Sequence, residues 1–244
     1  MWPSSPDELI EIQRALARAT PDPWPAPASG ATIGASARAM RASARSATIG
    51  ACVVLFPRGE TGRSYPGASG DPAWAGAAVL RRRQVLGEAV VSGAAAGPYL
   101  PGLLALREGP CLEAAIRALP VVPDVLLVDA TGRDHPRRAG LALQLGAVVG
   151  IPTVGVTHRP LMADGEWPDD ARGATSPLLL DGEPVGAWLR TRRGARPLAV
   201  HPGWRTTLKV AIDVVLTASG GHRTPEPIRV ARRLARIARS NAGQ

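Results

Sequence analysis

The residues with the most chemical content in this 244-residue chain lie between Pro98 and Arg138. A turn, Pro98-Tyr99-Leu100-Pro101-Gly102, leads to Arg107-Glu108, then to the apolar run Val125-Leu126-Leu127-Val128, then to Asp129 and His135. Two carboxylates offer hard oxygen ligands to a divalent cation, and an imidazole beside them offers acid/base chemistry near neutral pH. Glu108 and Asp129 are therefore the candidate metal ligands, and His135 is the candidate proton carrier.

The elements around these residues must bring them together. Val125–Val128, bounded by Pro123-Asp124 and by a turn, reads as a buried parallel strand. Asp129 then stands at a strand's carboxyl end, where open α/β sheets bind their ligands. A helix from about Pro136 to Val149, with Leu141, Leu145 and Val148 inward, and a strand over Thr153–Val156 continue a parallel strand–helix alternation. Upstream, Ala47–Phe56, Trp74–Leu80 and Val85–Val91 predict an antiparallel meander, the last two joined at Arg81-Arg82-Arg83. Leu112, Ile116 and Leu119 mark a helix face that Pro120 closes. Leu178–Leu180, Val185–Leu189 and Leu198–Val200 read as short strands, the first pair joined by Asp181-Gly182.

Ser5-Pro6-Asp7-Glu8 opens an N-terminal helix with a capping box, and Leu9, Ile12 and Leu16 form its apolar stripe. Alternating prolines from Pro21 to Pro27 end it, and an Ala/Ser/Arg tract follows, so residues 20–46 read as a Pro-rich, low-complexity segment within one domain spanning 1–244. Residues 57–72 read as a Gly/Pro/Arg-rich loop. Thr206–Ser219 predicts a helix. A last helix, from about Pro227 to Arg239, carries Arg229, Arg232, Arg233 and Arg236 as one stripe, either solvated or aimed at phosphate.

The net charge is +9, and Lys209 is the only lysine. An arginine excess favours a polyanion partner, although Ala/Gly/Pro-rich composition alone also raises arginine content. Cys52 and Cys111 have no metal-ligand spacing and read as buried free thiols. There is no leader-like start and no run of about 20 apolar residues, which predicts a cytoplasmic protein without a membrane span.

Together these motifs resemble endonuclease V. The resemblance rests on the Pro98–Gly102 turn with Leu103-Leu104 and Arg107-Glu108, and on Pro123–Asp129, Gly132, and His135-Pro136-Arg137-Arg138 with Gly140. It also takes in Ile151–Val156, Gly203 with Arg205, and Pro225-Glu226-Pro227. It implies a ribonuclease-H-like α/β fold, a central mixed sheet of antiparallel meander plus parallel strands flanked by helices. It further implies phosphodiester cleavage with Mg2+ or Mn2+ and action in DNA repair at inosine in DNA or RNA. Tyr99 would inherit a wedge role beside an extruded base, with Pro98, Pro101, Gly102, Arg137, Arg138 and Arg205 on the nucleic acid.

By the same resemblance, catalysis rests on Glu108, Asp129, His135 and three further positions that depart from the family pattern. Cys52 stands where the first-strand Asp belongs, or Ser36 if the earlier Ala-Thr-Ile-Gly-Ala echo is that strand. His158 replaces a Lys, and Trp204 replaces the His of a Gly-His-Arg element; Ala130 also replaces a Gly. A thiol in an apolar strand stays protonated and suits softer metals. These departures imply a fold that keeps nucleic-acid binding with cleavage lost or strongly impaired. The alternatives are an active nuclease with a rebuilt site, in which Asp134 adds a carboxylate, and a protein-interaction scaffold.

Overall fold

The computed structural model describes residues 2–24, 47–57 and 67–242. Its centre is one eight-stranded mixed sheet in the order β3-β2-β1-β4-β5-β8-β7-β6. The strands are β1 (Thr48–Leu55), β2 (Pro72–Arg81), β3 (Gln84–Ala94), β4 (Val125–Val128), β5 (Thr153–Thr157), β6 (Thr175–Leu180), β7 (Glu183–Leu189) and β8 (Leu198–Pro202). β1–β3 form the antiparallel meander, and β1, β4 and β5 run parallel. This is the ribonuclease-H-like α/β arrangement, and Asp129 directly follows its central strand.

Among the described residues five helices cover the two faces: α1 (Pro6–Arg18), α2 (Leu104–Arg117), α3 (Leu141–Val149), α4 (Leu208–Ser219) and α5 (Glu226–Asn241). Because side chains alternate along a strand, β1 and β4 serve both layers. Cys52, Leu126 and Val128 join Leu112, Ile116 and Leu145 of α2 and α3 in one core. Ala51, Val53, Val125 and Leu127 join Val210, Val214, Ile228 and Ala231 of α4 and α5 in the other. The β1–β4 register pairs Cys52 with Val128, so Cys52 lies beside the residue that precedes Asp129.

Two helix boundaries differ from expectation. α2 begins at Leu104, well before Leu112, and contains Pro110. As the seventh helical residue, Pro110 removes only the bond that its missing N–H would give to the Leu106 carbonyl, and the buried face outweighs that loss. This places Arg107 and Glu108 on a helix. α3 begins at Leu141, not near Pro136, because Arg138 has φ of 55° and Gly140 is the N-cap. Thr131 and Gly132 accept from Ala142 N (3.1 Å) and Gly140 N (2.7 Å), which folds residues 132–140 back as turns. The echo at 31–35, Ser36, most of the Pro-rich segment and the centre of the 57–72 loop lie outside the described residues.

Candidate functional site

Asp129 is partly exposed at the mouth between the two helical layers. Its Oδ2 accepts a hydrogen bond from Nη2 of Arg232 on α5, at 2.6 Å. From the opposite layer, Glu108 of α2 is electrostatically coupled to Asp129, and burial together with that neighbouring negative charge pushes its carboxyl up to about 8. Cys52 is fully buried. Burial, then Glu108 and Asp129, push its thiol up, so it stays protonated. His158, just past β5, belongs to the same neighbourhood: desolvation and then the Arg223 charge lower its pKa, and Asp129 opposes them.

The Pro98–Gly102 turn lies beside Asp129, on the same cavity. Gly102, at φ of 74°, supplies the left-handed residue that lets the chain reverse. Its carbonyl oxygen is reached by three side chains: Nε2 of His135 at 3.0 Å, Nη2 of Arg137 at 2.7 Å and Nε2 of Gln13 at 3.1 Å. The Arg137 amide donates to Nδ1 of His135 at 3.2 Å, so the proton belongs on Nε2, which donates to Gly102. Burial lowers the His135 pKa to about 4, which keeps this tautomer neutral. Arg137 also donates from Nε to Oε1 of Gln13 at 2.6 Å. Gln13 is a buried polar residue on the apolar side of α1, four residues after Leu9, and that misfit is the signal that sequence reading passed over.

A cavity of about 260 Å3 opens between this turn and the strand ends, lined among others by Gln13, Tyr99, Leu104, Asp129, His135 and Leu161. Pro101 and Gly102 also border it, and Thr131 and Thr157 add hydroxyls. Tyr99 is 51% exposed at its edge, beside an exposed Pro98. A largely apolar wall with a few polar groups and a protruding ring suits one flat heteroaromatic group.

Comparison with known proteins identifies this architecture. The sequence profile of the Endonuclease V family matches residues 63–233. Endonuclease V of Streptomyces coelicolor is 44% identical over 158 residues, covering 65% of this chain and 68% of the relative. The chain belongs to the endonuclease V family. The crystal structure of the family member from Streptomyces avermitilis superposes with a TM-score of 0.81 at 33% identity, covering 100% of this chain and 96% of that one. The family fold extends to Endonuclease V of Ciona intestinalis, solved with a 24mer DNA containing an inosine followed by a ribo-adenosine. There the TM-score is 0.71 at 17% identity, covering 97% and 98% of the two chains.

The remaining residues that the endonuclease V resemblance singled out are dispersed. Arg138 donates to the Leu180 carbonyl at 3.0 Å and to Asp181 at 2.9 Å, tying its loop to the β6–β7 hairpin. The Trp204 carbonyl accepts from the Thr153 amide at the opening end of β5, and the Trp204 amide donates to the Thr153 hydroxyl. With Arg205, Trp204 lines a separate cavity of about 170 Å3. Arg205 donates to the Asp22 carbonyl at 3.0 Å. Asp134 is fully buried and accepts three backbone N–H bonds, from Leu161 (2.6 Å), Met162 (2.8 Å) and Ala163 (2.8 Å). Both its oxygens are spent on that loop. In the arginine stripe, Arg229 pairs with Glu226, Arg232 with Asp129 and Arg233 with Glu88.

The residues present do not fit the hard divalent cation implied for endonuclease V. Magnesium and manganese require several oxygen ligands with compensating negative charge. Among the described residues, no group of three or more His, Cys, Asp or Glu side chains gathers to hold a metal. Asp129 already carries the Arg232 guanidinium, and Cys52 is a buried neutral thiol.

Proposed function

We propose that this endonuclease V family member binds DNA or RNA strands, receives an extruded base in the cavity beside Tyr99, and has lost most or all phosphodiester cleavage. Unstacking one base costs a few kcal/mol, least at a mismatched or deaminated site, and an aromatic wedge with an apolar cavity offsets it. The turn that would perform this job is pinned by His135, Arg137 and Gln13. Arg137 and His135 thereby position the wedge, and neither ring nitrogen of His135 is left over as a general base.

The observation that carries the loss of cleavage is Cys52. It lies in register beside Val128, next to Glu108 and Asp129, as a buried thiol at the place where the resemblance implies a carboxylate. Without that oxygen ligand an in-line hydrolysis lacks the cation that would stabilise the charge on the phosphate. The DNA complex of the Ciona protein supports the choice of an inosine-containing strand as the first ligand to test.

The test is a paired binding and cleavage assay on inosine-containing and plain single- and double-stranded DNA and RNA, with magnesium and with manganese. The expected result is binding that weakens steeply with salt, with no cleavage by the natural chain. Cleavage that disappears in Asp129→Ala would sink the loss of activity and favour a rebuilt site. Absence of salt-dependent strand binding would favour a scaffold role.

A further inference from the structure

Arg232 is not one of several interchangeable surface arginines. Its helix lies directly on the sheet: a Cβ added at Gly76 of β2 would stand 2.3 Å from the Ala231 carbonyl oxygen and 3.0 Å from the Ala235 amide. Along α5, Arg233 reaches Glu88 of β3 at 3.1 Å and Arg239 reaches the Phe56 carbonyl at 3.1 Å. The helix is held at both its sheet contacts, and Arg232 is delivered to Asp129 from a fixed position. The pair remains accessible, with side-chain exposures of 21% for Arg232 and 36% for Asp129.

A guanidinium carries five N–H donors, and Asp129 takes one of them, so a phosphate oxygen can be bound by the same group. Arg223 joins Arg232 in acting on His158, so two guanidiniums make this mouth cationic on the α5 side while the imidazole stays neutral. We propose that Arg232 is the resident cation of the site: it occupies Asp129, a carboxylate that would otherwise help hold a divalent ion, so a backbone phosphate of the strand is engaged without metal. The phosphate part rests on the nucleic-acid reading above; the exclusion of metal does not.

Two measurements on the full chain test this separately. In a titration with Mn2+ alone, read by electron paramagnetic resonance, the natural chain takes up no ion at this site, whereas Arg232→Gln combined with Cys52→Asp does. Uptake by the natural chain that Asp129→Ala removes overturns the proposal, and so does a double variant as silent as its parent. In fluorescence anisotropy with a labelled inosine-containing single strand, affinity is the same in magnesium and in EDTA. Arg232→Gln weakens it about tenfold and lowers the salt slope by about one, and Arg232→Lys recovers part of the loss. Affinity that collapses in EDTA, or that is unchanged in a folded Arg232→Gln chain, overturns the proposal. If no strand binds at all, the nucleic-acid reading fails and the Mn2+ titration still decides whether Arg232 keeps the metal out. Circular dichroism verifies that each variant is folded.

Discussion

Nε2 of His135 stands 3.0 Å from the carbonyl oxygen of Gly102, and this bond, together with those from Arg137 and Gln13, anchors the Pro98–Gly102 turn to the 132–140 segment and to α1. Arg137→Ala removes the shortest of the three bonds and the bridge to Gln13. The expected cost is about 2 kcal/mol of stability, seen as a lower thermal midpoint, with strand affinity falling alongside it. Tyr99→Ala should leave the midpoint unchanged, because the ring is exposed, and weaken binding about tenfold by losing a stacking surface. A thermal shift in both variants, or in neither, would contradict this division between pin and wedge.

Two histidines make the fold acid-sensitive. Burial depresses His135 and the fully buried His201 to about 4 each, below the ordinary histidine value. The unfolded chain therefore binds more protons between about pH 6.5 and 4, and stability falls as pH drops through that window. The contribution is fully present above about pH 6.5. Thermal melts across this range should show the loss, and His201→Gln should flatten it. Melts of the natural chain that are level down to about pH 4 would contradict the assignment.

Glu108 has the opposite sign. Its carboxyl is raised to about 8, so the folded chain holds the extra proton between about pH 4.5 and 8, and stability declines as pH rises through that interval. Glu108→Gln, which keeps the shape and removes the charge, should raise the melting midpoint at about pH 9 and leave it unchanged near about pH 4. Equal curves for the two chains at alkaline pH would show that Glu108 is well solvated.

Asp134→Ala should cost about 3 kcal/mol or more, because it strands the amides of Leu161, Met162 and Ala163. Asp134→Asn keeps one accepting oxygen and should fall between the two. Since Leu161 lines the cavity, strand affinity should follow the same order in an anisotropy titration.

The strand ending at Asp129, the meander and the proline-bounded turn were legible because each is encoded locally: an apolar run, a period-two pattern, a Pro-x-x-Pro-Gly sequence. What could not be read depends on partners distant in the chain. Arg232 looked like one of four equivalent arginines, because helical spacing gives a face but not which member meets a carboxylate 103 residues earlier. Asp134 looked like a spare ligand, because nothing in its neighbours announces three amides of a later loop. The start of α2 was obscured by Pro110, which a helix tolerates when its other face is buried. The mixed hydrogen-bonding of His135, donor to Gly102 and acceptor from Arg137, emerges only once residues 132–140 fold back as turns.

Gly76 touches no part of the cavity, yet the absence of its side chain decides how deep α5 sits and hence whether Arg232 reaches Asp129. With the helix seated, the Asp129 carboxylate is neutralised by the arginine; with it lifted, the same mouth presents a bare carboxylate that repels a polyanion. On the proposed reading, affinity for a nucleic-acid strand is thus governed from β2, through the thickness of a single methyl group.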